Sequence, residues 1–514
     1  MAGLPHPLSG LLKPDAYDHP VAHIELVETH ISWVLLTGEF AYKIKRPVQH
    51  AFVDLRSPEQ REFCCHEEIR LNRRFSPDLY LDVWTVTMDG GRVHMRGDGR
   101  VIEHAVRMRQ FDRAQELDRL LDAQAITPAE LTRFGRDLAN IHAALPRATE
   151  DDEWGRQDQI ANTIVRNLSE CKREAAIFGT SAELTDLATL LRDRVPAAAP
   201  WMIERRDQGR VREAHGDLHA RNMLRHHNRL VAFDSIDFDP SLRWIDVADE
   251  ISFLVADLQA RGYPVHAHAF LNAYLFSSGD YHACRFLNLY RAHRALVRAK
   301  VEALAAAGKE SNEVELARKR HAAYIKTARE ALTARKPMMI LMNGVSGSGK
   351  TWLAERLAAS LGAIHLRSDV ERRRLLGSAA KEDMGAGRYA PEHVSRVYQH
   401  LAQCTEDVLS GEYDAIVDAT FRDRTERARF REVAKRLGVR LKLVSCHVAD
   451  EELLLRRIEH RVRAGRDASE ADHEVLRFQQ EQFEPILAEE KIEVITADTS
   501  RDAVVDETLR HLGA

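Results

Sequence analysis

The stretch 338–351 constrains this chain more than any other. Met338-Met339-Ile340-Leu341-Met342 is a short, wholly apolar run of strand length. Gly344-Val345-Ser346-Gly347-Ser348-Gly349-Lys350-Thr351 follows it, and a helical pattern then runs from Trp352 to Leu361. Backbone N–H groups gathered at a helix start favour an anion. In that setting the Gly-x4-Gly-Lys-Thr spacing has a mechanism. Gly344, Ser346, Gly347, Ser348 and Gly349 form a phosphate cradle, Lys350 reaches the β- and γ-phosphates, and Thr351 faces Mg²⁺.

From residue 338 to the end, strands alternate with helices, which predicts a parallel sheet covered on both faces. The region before it is organised differently. Residues 20–110 are β-rich: Ile31–Leu36 and Phe40–Lys45 read as strands joined by a Thr37-Gly38-Glu39 hairpin turn. A helix is expected over Pro58–Arg74, then strands at Tyr80–Thr87 and Val101–Met108 with Asp89-Gly90-Gly91 as the turn between them. Helical patterns dominate from Asp118 to Arg335, with Thr127-Pro128-Ala129-Glu130 as a helix start. A domain boundary is expected at Arg335-Lys336-Pro337. The division is 1–335, with an N-lobe over about 20–110 and a helical C-lobe over about 111–335, and 336–514.

With 514 residues, the chain is longer than one core supports. No apolar run approaches bilayer-spanning length, and Met1–Ser9 has no export-signal pattern, so a cytoplasmic protein without a membrane partner is expected. The six cysteines are scattered and form no C-x-x-C pair, so they imply free thiols and no zinc site. A net charge of −5 weighs against a protein that coats nucleic acid, while leaving room for a local basic groove.

A second motif lies upstream. His215-Gly216-Asp217-Leu218-His219-Ala220-Arg221-Asn222 puts an Asp and an Asn on one short loop. An Asp so placed can accept the proton of an attacking hydroxyl, and an Asn five residues on can turn back to a metal that neutralises phosphates. A second carboxylate must hold that metal, and Leu230-Val231-Ala232-Phe233-Asp234 supplies it at the end of an apolar strand. A strand lysine anchored by a helical glutamate should bind the phosphates. Lys43 and Lys45 share one face of their strand, and Glu67 and Glu68 follow on the helix. Lys43 with Glu68 is the first choice, and the neighbouring pairs stay open.

With those residues in order, 20–335 resembles the aminoglycoside phosphotransferase and choline kinase branch of the protein-kinase-like fold. The resemblance implies an α+β bilobal domain in which Asp217 is the catalytic base and Asn222 and Asp234 hold metal. It also implies that Asp246, in Trp244-Ile245-Asp246-Val247-Ala248-Asp249-Glu250, braces the loop. Val106-Arg107-Met108-Arg109 falls where the hinge would meet the nucleotide base. The nucleotide-covering loop departs from the pattern, because Glu28-Thr29-His30-Ile31-Ser32 has no glycine.

Residues 338–500 resemble small P-loop kinases of the polynucleotide kinase, gluconate kinase and zeta-toxin type. The residues that carry this are Ser368-Asp369-Val370-Glu371-Arg372 after the next strand, Ile416-Val417-Asp418 at the end of a further one, and an arginine-rich stretch with Arg456, Arg457, Arg461, Arg463 and Arg466. The resemblance implies Asp369 as general base, Arg372 as acceptor clamp, and Asp418 as support for metal or acceptor. Arg463 or Arg461 would stabilise the transferring phosphoryl group. The expectation is a tandem phosphotransferase using ATP or GTP with Mg²⁺. Its P-loop acceptor would be an RNA or DNA 5′-hydroxyl or a small polyol, and its kinase-like domain would act on a further hydroxyl. The alternative is that one domain regulates and only the other catalyses.

Overall fold

The computed structural model describes residues 3–50, 53–306, 309–376, 391–448, 450–464 and 473–513. Internal contacts divide the chain into two compact units, 1–166 with 199–257 and 167–198 with 258–514.

The first unit is built on a six-stranded antiparallel sheet. Its strands are β1 (Glu25–Glu28), β2 (Ser32–Leu36), β3 (Phe40–Lys45), β4 (Tyr80–Asp89), β5 (Arg92–Met95) and β6 (Arg100–Arg109), in the order β1-β2-β3-β6-β4-β5. Side chains alternate across each strand. Tyr42 and Ile44 of β3 therefore join Trp33, Leu35 and Trp84 in one core. Ala41 points the other way, toward Cys65 and Ile69 of helix α1 (Pro58–Asn72), and Lys43 and Lys45 share that face. Ser57 caps α1 by accepting from the Gln60 amide at 3.1 Å, with Pro58 in the first turn. One strand departs from the sequence expectation. The Asp89-Gly90-Gly91 turn leads into the short β5, and β6 pairs back along β4 from beyond it.

After the capping-box helix Pro128–Ala144, the chain forms an antiparallel hairpin of β7 (Met223–His226) and β8 (Arg229–Ala232). Met223 pairs with Ala232, and the Phe233 amide donates to Asn222 O at 2.9 Å. The hairpin thereby sets Asn222 beside the Phe233-Asp234 exit.

The second unit holds a five-stranded, wholly parallel sheet. Its strands are β9 (Met338–Asn343), β10 (Ile364–Arg367), β11 (Ala415–Asp418), β12 (Arg440–His447) and β13 (Glu493–Asp498), in the order β10-β11-β9-β12-β13. Every residue of β9 is buried, as its apolar run requires of a central strand. Ile340 and Met342 pack against Leu353 and Leu357 of the helix that follows the glycine-rich loop. Helices Pro264–Ser278, Cys284–Ala306 and Ser311–Leu332 belong to this same unit, so position 335/336 lies inside it. They are tied to the sheet region by polar contacts. Asn272 accepts from the His365 amide at 2.9 Å and donates to Ala363 O at 3.2 Å. Arg285 pairs with Asp407 at 2.7 Å. No described helix is long and apolar enough to cross a membrane.

Candidate active sites

In the first unit, Lys43 Nζ lies 2.8 Å from Glu68 Oε1 and 2.5 Å from Asp234 Oδ1. Lys45 Nζ lies 2.6 Å from Glu68 Oε2 and also pairs with Asp237. Glu68 thus divides its carboxylate between both strand lysines, a combination left open by spacing alone. Burial opposes ionisation of Glu68, but the two ammonium groups outweigh it and hold the carboxyl below its usual range. Asp237 shifts the other way, because burial and the nearby Glu68 charge exceed the pull of Lys45 and Lys43. Burial alone would lower both lysines, and the surrounding carboxylates instead raise them.

Asp234 adopts a left-handed backbone with φ of 63°. Such a conformation is uncommon outside glycine and collects at functional positions. The turn is held from outside: the Asp234 amide donates to Tyr80 Oη at 3.0 Å and the Ser235 amide to Asn72 Oδ1 at 3.0 Å. Lys43, Met108, Asn222 and Asp234 all line one cavity of about 470 Å³. Phe111 and Phe233 also line it, with ring centroids 5.3 Å apart in an edge-on arrangement. Phe111 carried no sequence signal, since it sits just past the last strand residue.

The Asp217 loop is fixed from below. The His215 and Gly216 amides donate to the two oxygens of Glu250 at 2.7 and 3.0 Å, and the Ala220 amide to Asp257 at 2.8 Å. Gly216 has φ of 85°, and a Cβ there would meet Leu242 O at 2.7 Å, so no other residue fits. The brace that the resemblance places on Asp246 is supplied instead by Glu250. Asp246 is engaged by Arg205 at 2.6 and 2.7 Å and accepts from the Ala248 amide at 2.8 Å. Asn222 Nδ2 donates to Asp217 Oδ2 at 2.8 Å, and His219 Nε2 lies 3.3 Å from the same oxygen. Burial pushes the His215 imidazole down to about 4, so it stays neutral, with Nε2 2.9 Å from Phe233 O.

In the second unit, Gly344, Gly347 and Gly349 have φ of 139°, 83° and 81°, so the loop between β9 and helix Lys350–Leu361 depends on them. Lys350 Nζ donates to Val345 O at 2.9 Å, and Thr351 Oγ1 to Asp418 Oδ2 at 2.6 Å. The loop is secured through its backbone. The Ser346 amide donates to Gln479 Oε1 at 2.8 Å, and Thr499 Oγ1 donates to Ser348 O at 2.8 Å. Burial works against ionisation of Asp418, yet His365, Lys350 and Thr351 together hold its carboxyl low. His365 Nε2 is 3.5 Å from Asp418.

Because β10, β11 and β9 are parallel neighbours, the segments after them leave the same edge of the sheet. That edge carries Asp369 in the first turn of helix Ser368–Leu376, Asp418 at the end of β11, and the Gly344–Thr351 loop. Arg372 pairs with Asp369 at 2.5 Å. The expected arginine group divides. Arg456 makes an exposed pair with Glu452 at 2.9 Å, and Arg457 donates to Thr499 Oγ1 and O, each at 2.9 Å. The side chains of Arg461 and Arg463, and the whole of Arg466, lie outside the described residues.

Residues 41–287 match the model described as phosphotransferase enzyme family, and residues 339–486 the model described as AAA domain. An uncharacterized protein of Mycobacterium tuberculosis is 29% identical over 425 residues, spanning 81% of this chain and 82% of that protein. Among solved structures, a choline kinase from Cryptosporidium parvum Iowa II is 11% identical, covering 60% of this chain and 89% of its own, with a TM-score of 0.39. A gluconokinase from Sinorhizobium meliloti 1021 is 22% identical, covering 35% of this chain and 94% of its own, with a TM-score of 0.28. With its antiparallel sheet and Asp217 loop ahead of the parallel sheet and glycine-rich loop, the chain carries a kinase-like domain, matched by the phosphotransferase model, followed by a P-loop kinase domain, matched by the AAA-domain model.

Proposed function

We propose that the protein is a tandem phosphotransferase with two separate sites, one in chemical domain 1–335 and one in 336–514. The observation behind this reading is a shared arrangement. Each site gathers a lysine and metal-suited oxygens, with a further carboxylate able to take a hydroxyl proton on the same loop or at the same sheet edge. In the first site these are Lys43, then Asn222 with Asp234, then Asp217. In the second they are Lys350, then Thr351 with Asp418, then Asp369.

The nucleotide is ATP or GTP. In the first site its base would lie by Met108 and Phe111 and its phosphates by Lys43, which Glu68 orients. In the second, the Gly344–Thr351 amides and Lys350 would hold the phosphates. Hard oxygen donors suit Mg²⁺ in both places, and the ion, when bound, offsets charge on the β- and γ-phosphates. Asp217 and Asp369 would each accept the proton of an attacking hydroxyl.

For the second site the acceptor is a polynucleotide 5′-hydroxyl. The Asp369–Arg372 pair supports this choice, with a base for the hydroxyl beside a guanidinium for the neighbouring phosphate. The test is transfer of labelled γ-phosphate by the full chain to 5′-hydroxyl RNA and DNA oligonucleotides, run beside a panel of polyols. Label should enter the oligonucleotide, persist in Asp217→Ala and vanish in Lys350→Ala. Strong transfer to a polyol with none to oligonucleotides would replace the nucleic-acid acceptor with a sugar-like one.

A further inference from the structure

One cluster of ligating side chains in the second unit plays no part in the phosphate chemistry above. His400 and Cys404 stand one turn apart on helix Pro391–Ser410, a spacing that places two side chains on one face. Glu371 joins them from helix Ser368–Leu376. His400 Nε2 lies 3.0 Å from Glu371 Oε2 and 3.5 Å from Cys404 Sγ, and one ligand atom from each residue falls within 4.8 Å of the others. Ligands held at roughly 2.0–2.3 Å around a tetrahedral ion stand roughly 3.3–3.8 Å apart. The cluster is therefore close to chelate spacing.

A fourth donor is at hand. Tyr281 is 1% exposed, and its hydroxyl has no hydrogen-bond partner among the described residues. It sits within electrostatic reach of Glu371 and Cys404. A buried hydroxyl with no partner is costly, and a bound ion would relieve it. The carboxylate has the outer support that a ligand needs. Arg374 grips Glu371 Oε1 while Oε2 turns to His400, and Arg374 also donates to Phe276 O at 2.6 Å.

Charge and donor type point to one ion. A divalent cation with one carboxylate, one thiolate, a neutral imidazole and a phenol makes a neutral centre, which a buried site tolerates. Mixed nitrogen, sulfur and oxygen ligation suits Zn²⁺ and disfavours Mg²⁺ or Ca²⁺. We propose that Glu371, His400, Cys404 and Tyr281 form a structural zinc site that ties the helix bearing Asp369 and Arg372 to helix Pro391–Ser410. Burial keeps the free Cys404 thiol protonated, so zinc binding forms one Zn–S bond and releases the thiol proton to solvent. Cysteine spacing along the chain could not reveal the site, because its donors come from three separate elements. The proposal stands apart from the phosphotransfer reading.

The full chain is purified without chelator, equilibrated with Mg²⁺, and assayed for zinc by plasma mass spectrometry. About one zinc per chain is expected, falling about tenfold or more in Cys404→Ala and His400→Gln. The Co²⁺-loaded protein should show the near-ultraviolet thiolate-to-cobalt absorption and the strong visible bands of a tetrahedral ion. Cobalt held at a phosphate site by oxygen ligands gives neither. Wild-type protein without zinc and without those bands overturns the site, as does undiminished zinc in both variants. The wild-type cobalt spectrum decides the matter even if the variants fail to fold.

Discussion

The two candidate sites are built by different means. In the first unit the charges sit on side chains drawn from a strand, a helix and two loops, and Lys43 meets Asp234 across 191 residues of chain. In the second, one run from Gly344 to Thr351 bends through three positive-φ glycines into a helix start, where backbone N–H groups favour an anion, and adds a single lysine. The first arrangement exists only once the tertiary fold has formed. The second is largely local, and its weak points are the glycine dihedrals. A side-chain site can be dismantled one charge at a time, whereas a backbone site is lost through its conformation or its lysine.

The largest expected effect tests whether the sites work separately. Asp217→Asn should cut transfer from the kinase-like site by about 10²–10⁴-fold while sparing the P-loop reaction. Lys350→Ala should do the reverse, with both followed by γ-phosphate turnover in the full chain. If either change removed both reactions, the two sites would form one machine, with one domain regulating the other.

Next come two of the buried ion pairs, one taken from each unit. Arg205 and Asp246 are 0% and 3% exposed at their side chains, and Arg427 and Glu490 are both 0%. Removing one partner strands the other charge, so Arg205→Ala and Arg427→Ala should each cost about 3–5 kcal/mol in denaturant unfolding. A loss under about 1 kcal/mol from either would mark that unit as the more adaptable framework.

A smaller effect follows from acid. Burial lowers His215 to about 4 and His142 to about 3 in the first unit. Both are neutral when folded, while the unfolded chain takes up protons near pH 6.5. Stability is therefore full above about 6.5, declines as pH falls toward the folded values, and levels off below them. Unfolding free energies measured from pH 7 to 4 should show this decline, reduced in His142→Leu. An unchanged slope in that variant would remove His142 from the account.

The contrast between the sites also explains what could be read in advance. The Gly344–Thr351 loop is legible as a strand-to-helix turn because its glycines lie in consecutive residues between an apolar strand and a helix. The proximity of Asp217, Asn222 and Asp234 is legible by spacing, since one loop and one hairpin carry them. The sharing of Glu68 between Lys43 and Lys45 was only half visible: alternation placed the lysines on one face, but helix packing set the angle of approach. The roles of Glu250 and Asp257 are invisible in the sequence because hydrogen bonds to backbone amides leave no residue pattern in the loop that donates them. The short strand Arg92–Met95 is hidden in the sequence because the Asp89-Gly90-Gly91 turn so near it has the pattern of the midpoint of a longer hairpin.

Asn272 carries a final consequence. Its carboxamide offers β10 the donor and acceptor that a neighbouring peptide group would offer, and so stands in for an absent strand. A gene cut at codon 336, where the phosphate chemistry divides, would discard that stand-in. The severed fragment would carry an adhesive border ready to recruit another copy of itself.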